Sequence, residues 1–384
     1  MATLLLVVAC VTLLFYVVST FELALGGSTI SDLKDITPLC TLDVPRVSVI
    51  VAACNEERGI EQALASVLHQ DYPSYEVIVV NDRSTDGTGQ ILERMVDRHP
   101  QLRVVTVTQL PEGWLGKNHA LQEGASHATG SILVFTDADI VMDPSVLRRA
   151  VAYILKRSVD HLAIAPDVVM PGFVLNAFVA TFAFVFNLYM QPWKAKDPKS
   201  SKHIGIGAFN LVRTEVYQAV GGHQPIAMRP DDDVKLGKLI KSNGYRQDIV
   251  LGAGLLSVEW YASFGELVQG LMKNMFSGVE YSVVLAIGGC LAQLICNVWP
   301  FIAVVATRGR VQLLNGAIVV TILVLFAANA SRIGMRWFYA FTYPIGILVF
   351  CYILLRSMTI TLWTGGINWR GTHYSLAQLR ANKL

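Results

Sequence analysis

Five long uncharged runs of mostly apolar residues constrain the fold of this 384-residue chain more than any other feature. The runs cover residues 1–21, 168–193, 281–307, 311–331 and 337–355. Each is about as long as the ~20 apolar residues that a helix needs to cross a bilayer. Charged residues make up only 16% of the chain, whereas a soluble domain usually carries about 25%. The sequence therefore predicts a protein that is partly embedded in a membrane.

Between the first two runs, the chain alternates short β-branched segments with helical stretches. The strand-like segments are "VSVIV", "YEVIVV", "LRVVTV" and "SILVF". Strands that alternate with helices at this spacing indicate a parallel sheet with crossover helices. We therefore predict an α/β fold with a mostly parallel sheet for residues 45–260.

Polar side chains follow three of these strands. Asn55 and Glu56 follow the first strand, Asp82 ends the second, and Asp137 and Asp139 follow the fourth. Ligands of such sheets bind beyond the carboxyl ends of the strands, which lie at one edge. The sequence therefore predicts one binding site at this edge, in which Asp82 accepts a hydrogen bond from a nucleobase N–H.

The pair formed by Asp137 and Asp139 is the strongest chemical signal. Alternate residues of a strand point to the same face, so both carboxylates can reach one site. Two adjacent carboxylates repel each other unless a cation neutralises them. Mg²⁺ is commonly bound by one or two carboxylates together with phosphate oxygens. We predict that the pair holds a diphosphate through Mg²⁺ or Mn²⁺.

Two further segments carry charged candidates. Lys117 lies in "GWLGKNHA", which lacks the spacing of a P-loop but places a lysine at a helix start, where phosphates bind. Asp231, Asp232 and Asp233 precede a helical stretch, where one carboxylate can cap the helix and another can act as a base.

Other classes of function are disfavoured. The net charge of +2 and the absence of a basic tract argue against nucleic-acid binding. The spacing of the cysteines matches neither a disulfide framework nor a zinc site. These residues are Cys10, Cys40, Cys54, Cys290, Cys296 and Cys351.

The ordered motifs "SVIVAACNEE", "VVNDRSTDGT", "GKNHAL", "FTDADI", "GAFNLVR" and "DDDVKLG" resemble family-2 glycosyltransferases with the GT-A fold. The resemblance covers roughly residues 45–240. It is closest to the membrane-bound branch that modifies lipids such as hopanoids, carotenoids and ceramides. The tail segment "NWRGTHY" also resembles an ending common in this branch, with Thr372 in place of the usual arginine.

The resemblance implies a role for each matching residue. Glu56 and Asp82 would contact the nucleoside of a nucleotide-sugar donor, for which family habit favours a UDP-sugar, and Asp137 would lie near its ribose. Asp139 would coordinate the metal. The segment containing Asp232 and Asp233 occupies the position of the family's Glu-Asp pair, which makes Asp233 the candidate base of an inverting reaction with a membrane lipid acceptor.

One departure from the family pattern distinguishes two enzymatic interpretations. Processive and ceramide-type relatives carry Gln-x-x-Arg-Trp after the base, whereas "VQGLMKNMF" offers Lys273, a candidate diphosphate contact. The missing tryptophan disfavours a processive polysaccharide synthase. A non-catalytic membrane scaffold is a third alternative, disfavoured by the intact acidic sites.

The run at 168–193 would separate Asp139 from Asp233 if it crossed the membrane. We therefore predict an apolar hairpin that lies at the interface or is buried. The first run has no basic start and no clear cleavage site before Glu22, so we expect an anchor rather than a secretory signal.

The expected organisation places the α/β module in the cytoplasm, bound to a bacterial inner membrane. Three C-terminal crossings would put the tail on the far side of that membrane, so one run, 281–307 above all, is a candidate for a re-entrant segment. The predicted segments are an anchor at 1–22, a linker at 23–44, an interfacial connection at 261–280, about three transmembrane or re-entrant helices at 281–356 and a polar tail at 357–384.

Overall fold

The computed structural model describes residues 2–382, which pack into two compact units. The α/β unit comprises Ile30–Val169, Pro192–Glu259 and the chain from Gly366 onward. The helical unit comprises the chain up to Thr29, Met170–Gln191 and Trp260–Gly365.

The strands all lie in the α/β unit. They are β1 (Ser31–Asp32), β2 (Val47–Ala53), β3 (Tyr75–Asp82), β4 (Leu102–Val107), β5 (Ile132–Asp137), β6 (Ile140–Met142), β7 (His161–Ala165), β8 (Asp167–Val169), β9 (Asn210–Arg213), β10 (Gln247–Leu251), β11 (Leu256–Glu259), β12 (Gly366–Trp369) and β13 (Thr372–Ser375).

The α-helices are numbered along the whole chain. They are α1 (Ala2–Phe21), α2 (Ile60–Leu68), α3 (Thr88–Val96), α4 (Gly116–Ser126), α5 (Val146–Arg157), α6 (Gly172–Met190), α7 (Thr214–Ala219), α8 (Asp232–Ser242), α9 (Phe264–Met275), α10 (Val283–Gln293), α11 (Trp299–Ala306), α12 (Arg310–Arg332), α13 (Tyr343–Trp363) and α14 (Leu376–Ala381).

The main sheet confirms the predicted α/β fold. Its strand order is β1-β10-β7-β9-β5-β2-β3-β4, and every pairing is parallel except those of β9 with β5 and β7. Valine and isoleucine fill the central strands and are buried on both faces of the sheet, as parallel strands covered by helices require. A second sheet, β6-β11-β8, and the hairpin β12-β13 complete the unit.

The register of the sheet brings the predicted strand ends together. In the parallel pairs, Ala53 of β2 lies opposite Asn81 of β3, and Ala52 of β2 lies opposite Asp137 of β5. The carboxyl ends of β2, β3 and β5 therefore form one continuous edge.

The helical unit contains most of the apolar runs. Five helical segments of the described chain are long and apolar enough to cross a membrane. They are Thr3–Gly26, Gly172–Lys196, Val283–Ala306, Arg310–Arg332 and Trp337–Trp363. Many of their leucine, valine and isoleucine side chains are exposed, as expected where lipid replaces water.

A polar cluster lies inside the helical unit. The hydroxyl groups of Tyr16 and Tyr343 both donate to Oδ1 of Asn297, the latter over 2.7 Å, and Nδ2 of Asn297 donates to Gln293 over 2.6 Å. These bonds satisfy polar groups among apolar helices and tie α1, α10 and α13 together.

Three segments differ in detail from the sequence-based expectation. Residues 172–190 form the single helix α6, so the expected hairpin is wrong. The run at 283–306 forms one helical segment through a π-bulge at Leu294–Val298, despite its glycines and proline. The expected linker contains β1, which pairs with β10. All six cysteines are free of disulfides.

Candidate functional site

The loop after β2 is fastened to the loop after β3. Asn55 has a left-handed backbone (φ 57°), and its Oδ1 accepts a hydrogen bond from the Thr85 N–H over 2.8 Å. The Glu56 N–H donates to Oγ1 of Thr88 over 2.8 Å. Asp86 accepts from the N–H of Thr88 over 3.0 Å and so stabilises the turn. These bonds fix Asn55 and Glu56 beside the end of β3.

Asp82 is buried at the end of β3 and is bound by its neighbour. Nε of Arg83 lies 2.7 Å from Oδ1 of Asp82, and Nη2 lies 2.9 Å from Oδ2. Arg83 adopts a left-handed backbone (φ 55°), which is uncommon for a residue other than glycine and marks a locally strained position. A Cβ atom at Gly116 would collide with Oδ2 of Asp82 and Nη2 of Arg83, so a larger residue at the start of α4 would have to displace this pair.

Lys117 links the end of β5 to the start of α8. Its Nζ lies 2.8 Å from Oδ1 of Asp137 and 3.4 Å from Oδ1 of Asp232. Burial alone would lower the pKa of Lys117, but the carboxylates of Asp137, Asp232 and Asp233 outweigh burial and raise it. Lys117 is therefore a permanent cation between two acidic segments, which lie far apart in sequence.

Asp233 is held by backbone donors. The N–H of Gly207 donates to its Oδ2 over 2.7 Å, and the N–H of Val234 donates to its Oδ1 over 2.8 Å. Burial is the largest influence on this carboxyl group, and its pKa is raised although Lys117 opposes the effect. Asp137, Asp232, Asp233 and Lys117 line one pocket. The structure thus brings the two predicted acidic segments together.

Asp139 lies two residues after Asp137, at the end of β5. Loss of solvent around the carboxyl group, followed by repulsion from Asp137 and Glu56, raises its pKa to about 7. A carboxyl group so perturbed gains the most from a nearby cation. No set of three or more His, Cys, Asp or Glu side chains within residues 2–382 is arranged to hold a metal ion. The pair fits a metal that takes its remaining ligands from a bound phosphate, as Mg²⁺ commonly does.

One predicted site residue lies in the other unit. Lys273 is on α9, which belongs to the helical unit. A contact between Lys273 and a diphosphate therefore stays a prediction. Of the aspartate run, Asp231, the residue before α8, makes no side-chain cap bond and faces Arg229 (3.2 Å), whereas Asp233 accepts from the first-turn N–H of Val234.

The structure adds a group of residues that the strand pattern did not indicate. The hairpin β12-β13 lies in the α/β unit, where Arg370 forms an ion pair with Glu56. Thr372 accepts from Nη1 of Arg83 over 3.3 Å, and the hydroxyl of Tyr374 accepts from the N–H of Gly116 over 3.3 Å. The segment "NWRGTHY" is recognisable in the sequence, but the residues that it contacts in the fold lie far away along the chain.

Comparisons with known proteins agree with this geometry. Residues 48–221 match the model of glycosyl transferase family 2. The chain is 25% identical over 350 residues to a 4,4'-diaponeurosporenoate glycosyltransferase of Staphylococcus aureus (strain USA300), with 86% of this chain and 89% of the relative covered. A mannosyltransferase of Pyrobaculum calidifontis, solved with GDP-mannose and Mn²⁺, shares the fold with a TM-score of 0.57 and 22% identity, over 94% of this chain and 99% of that one.

The mostly parallel sheet, its acidic edge and these matches define the protein as a glycosyltransferase with a GT-A-like fold. Within it, residues 48–221 form a domain of glycosyl transferase family 2.

Proposed function

We propose that this enzyme transfers one sugar from a nucleotide-sugar, expected to be a UDP-sugar, to a membrane lipid acceptor with inversion at the anomeric carbon. The acceptor class is a hopanoid, a carotenoid or a sphingolipid-like molecule. The observation that carries the proposal is one pocket lined by Asp137 and Asp233, which come from two distant segments, and by Lys117, which pairs with Asp137 and Asp232.

The donor half of the proposed site is the edge formed by β2, β3 and β5. Glu56 and Asp82 are assigned to the nucleoside, Asn55 to the loop that shapes its pocket, and Asp137 to the ribose. Lys117 lies in the first turn of α4, where the N–H groups of that turn and the ammonium group favour phosphate. These assignments are supported by the clustering of all five residues within the α/β unit.

Asp139 is the residue proposed to hold Mg²⁺ or Mn²⁺ together with the donor diphosphate, two positions after Asp137. When bound, such an ion would neutralise the charge that develops on the departing nucleoside diphosphate. The pKa of Asp139, raised to about 7 by loss of solvent and by repulsion from Asp137 and Glu56, supports this assignment, because a bound cation would relieve that repulsion.

Asp233 is the proposed base. In the reaction, the acceptor oxygen forms a bond to the anomeric carbon while the bond from that carbon to the diphosphate oxygen breaks. The acceptor proton passes to a carboxylate oxygen of Asp233, and the electron pair leaves with the nucleoside diphosphate. A base with a raised pKa takes up such a proton more readily. Asp232 is assigned to orienting Lys117, which it contacts.

The lipid acceptor is supported by the helical unit and by a relative. Five helices long and apolar enough to cross a membrane are consistent with membrane association. The S. aureus relative is a 4,4'-diaponeurosporenoate glycosyltransferase, and diaponeurosporenoate is a carotenoid. A lipid held at the bilayer surface would present its polar group without leaving the membrane.

The proposed location is a bacterial inner membrane with the α/β unit in the cytoplasm. Cysteines free of disulfides fit a reducing compartment. Val169 and Pro192 flank α6 and belong to one compact unit, which supports an interfacial rather than a membrane-crossing α6. Residues 260–365 also leave and re-enter that unit. If residues 260–365 begin and end on the same side of the membrane, they must cross it an even number of times. We therefore propose that one of the three C-terminal helices is not a complete span.

The test is to incubate membranes that contain the enzyme with a panel of radiolabelled nucleotide-sugars and Mn²⁺. Labelled products are extracted into organic solvent and identified by mass spectrometry. We expect one nucleotide-sugar to label one lipid with a single sugar residue. Label in a long polymer would instead support a processive synthase, and no label with any donor would contradict the proposed activity.

A further inference from the structure

The tip of the tail hairpin has an unusual composition. Arg370 and Gly371 form its two-residue turn, and both have positive φ angles, 48° and 78°. Hairpin turns of this geometry favour asparagine, aspartate or glycine, because other side chains are strained there. An arginine in the first turn position therefore needs a compensating contact, which the ion pair with Glu56 supplies.

Arg370 faces more than one acidic group. Burial would lower the pKa of Arg370, but Glu56 and, to a smaller extent, Cys54 and Asp137 raise it. Its side chain keeps 39% of its surface exposed. The guanidinium group therefore lies beside the two strand ends assigned to the donor and remains open to a ligand.

The rest of the hairpin is attached to the same edge. Arg83 binds both oxygens of Asp82 and also donates to Thr372, and Tyr374 accepts from the first N–H of α4. The hairpin thus contacts structures that follow β2 and β3 and the start of α4. Its position is determined by residues of the donor edge.

The charges at this edge are unbalanced. The carboxylates outnumber the cations among the described residues of this edge. The carboxylates are Glu56, Asp82, Asp137, Asp139, Asp232 and Asp233, and the cations are Lys117, Arg83 and Arg370. An anionic diphosphate meets repulsion here unless a cation turns toward it.

The three cations differ in how firmly they are held. Lys117 bridges two carboxylates, and Arg83 makes a bidentate contact to Asp82. Arg370 contacts Glu56 through one of its nitrogen atoms, and a guanidinium group has five N–H donors. Arg370 can therefore keep Glu56 and bind phosphate oxygens at the same time.

We propose that Arg370 binds the phosphates of the nucleoside diphosphate sugar and that residues 366–375 form one wall of the donor site. This inference rests on the proposed function, since it assigns a further residue to the same donor. It gives the tail a direct part in substrate binding.

The test measures equilibrium binding of UDP and of GDP, each with Mn²⁺, to the purified full chain in detergent by isothermal titration calorimetry. For the nucleotide that the wild type binds, we expect Arg370→Gln to weaken binding about 10- to 100-fold, the effect of losing a charge-assisted hydrogen bond. Arg370→Lys retains the charge but loses the fork geometry, so we expect about 3- to 10-fold weaker binding. The matched control Arg103→Gln, on an exposed position of β4, should bind as the wild type does.

The possible outcomes separate the two proposals. An unchanged dissociation constant in Arg370→Gln would overturn the role of Arg370, and tighter binding would also overturn it, because the hairpin would then block the site. If Arg370→Gln fails to fold, Arg370→Lys decides the question. Nucleotide binding weakened less than twofold in Arg370→Lys would also overturn the role of Arg370. A wild-type enzyme that binds neither nucleotide would instead contradict the proposed function, and this inference with it.

Discussion

Arg370 and Glu56 form an ion pair although 314 positions separate them in the sequence. Glu56 follows β2 of the main sheet, and Arg370 lies beyond the last apolar helix, α13. The pair connects the two ends of the α/β unit at the edge where the donor is proposed to bind. The same edge carries three residues with left-handed backbones, Asn55, Arg83 and Arg370. Such strain is typical of functional sites, where the surrounding structure compensates for it.

Replacing Asp233 with asparagine removes the proposed base but keeps the size of the side chain. We expect transfer to fall about 10²- to 10⁴-fold, the usual contribution of a general base. Binding of the nucleotide with Mn²⁺ should change little. Initial rates and calorimetry on one preparation measure both quantities. Asp97→Asn, at an exposed position after α3, serves as the matched control. Full turnover in Asp233→Asn would exclude the assignment.

Asp139→Ala tests the proposed metal site. We expect the variant to lose the Mn²⁺ dependence of nucleotide binding, since the remaining carboxylate of Asp137 is already paired with Lys117. The measurement is a titration of Mn²⁺ at fixed nucleotide, followed by removal of the ion with a chelator. Asp43→Ala, on an exposed segment, should behave as the wild type does. A variant with an unaltered Mn²⁺ titration would place the metal elsewhere.

Lys117→Met leaves Asp137 and Asp232 without their shared cation. Breaking a buried ion pair by removing one partner typically costs about 3–5 kcal/mol, and the side chain of Lys117 is 22% exposed, so we expect a loss near the lower end of that range. The melting temperature in detergent should fall clearly. Mn²⁺ should restore part of the loss in the variant, because an added cation relieves the same repulsion. Equal melting temperatures of variant and wild type would contradict the bridging role.

Gly207 lies between the two acidic segments of the pocket. Its carbonyl accepts from the Asp137 N–H over 3.1 Å, and a Cβ atom added to it would lie 2.6 Å from Oδ2 of Asp137. Gly207→Ala should therefore displace this carboxylate and lower the rate of transfer about 10²-fold, as small misplacements in active sites do. Gly59→Ala is the control, since its added Cβ meets nothing within 4 Å. Comparable rates in the two variants would show that the pocket tolerates the displacement.

His161 makes the α/β unit sensitive to acid. Its Nε2 donates to Oδ1 of Asn210 over 2.7 Å, its Nδ1 accepts from Gln247 over 2.8 Å, and burial lowers its pKa to about 4. Above pH ~6.5, the ordinary pKa of histidine, both folded and unfolded forms are neutral and the group contributes no pH dependence. As the pH falls from ~6.5 to about 4, only the unfolded chain takes up the proton, so stability decreases by about 1.4 kcal/mol per pH unit.

The measurement is the melting temperature at pH 7 and pH 5 for the wild type and for His161→Gln. We expect a smaller decrease between the two pH values in the variant, even if its stability at pH 7 is lower. His69→Gln, at an exposed position, should keep the wild-type decrease. An identical decrease in His161→Gln would assign the acid sensitivity to other groups.

Local pattern was enough to predict the strands that carry the site. The valine and isoleucine runs of β2 and β3 and the acidic end of β5 are encoded by neighbouring residues, and the parallel register then brings Asn55, Asp82 and Asp137 to one edge. The antiparallel strand β9 was not predicted, since its four residues pair with β5 and β7, which lie far away in sequence.

The position of the tail also could not be predicted from the local sequence pattern. A count of apolar runs allowed the tail to lie on the far side of the membrane, whereas the contacts of Arg370 and Tyr374 are made with residues of the α/β unit. Contacts over such distances depend on the folded arrangement of the whole unit. For Lys273, no such contact with the α/β unit supports the expected role. Its contact with the diphosphate remains a prediction from its position in the sequence.

The tail hairpin has a consequence for biosynthesis. Translation reaches Gly366 only after the 106 residues of Trp260–Gly365, most of them destined for the helical unit's apolar segments, have been made. At about 5–20 residues per second, this takes roughly 5 to 20 seconds. During that interval the nascent sheet exists without Arg370, and on the proposed function it cannot bind its donor fully. On the proposed function, the donor site would thus become complete only after the apolar segments have been made.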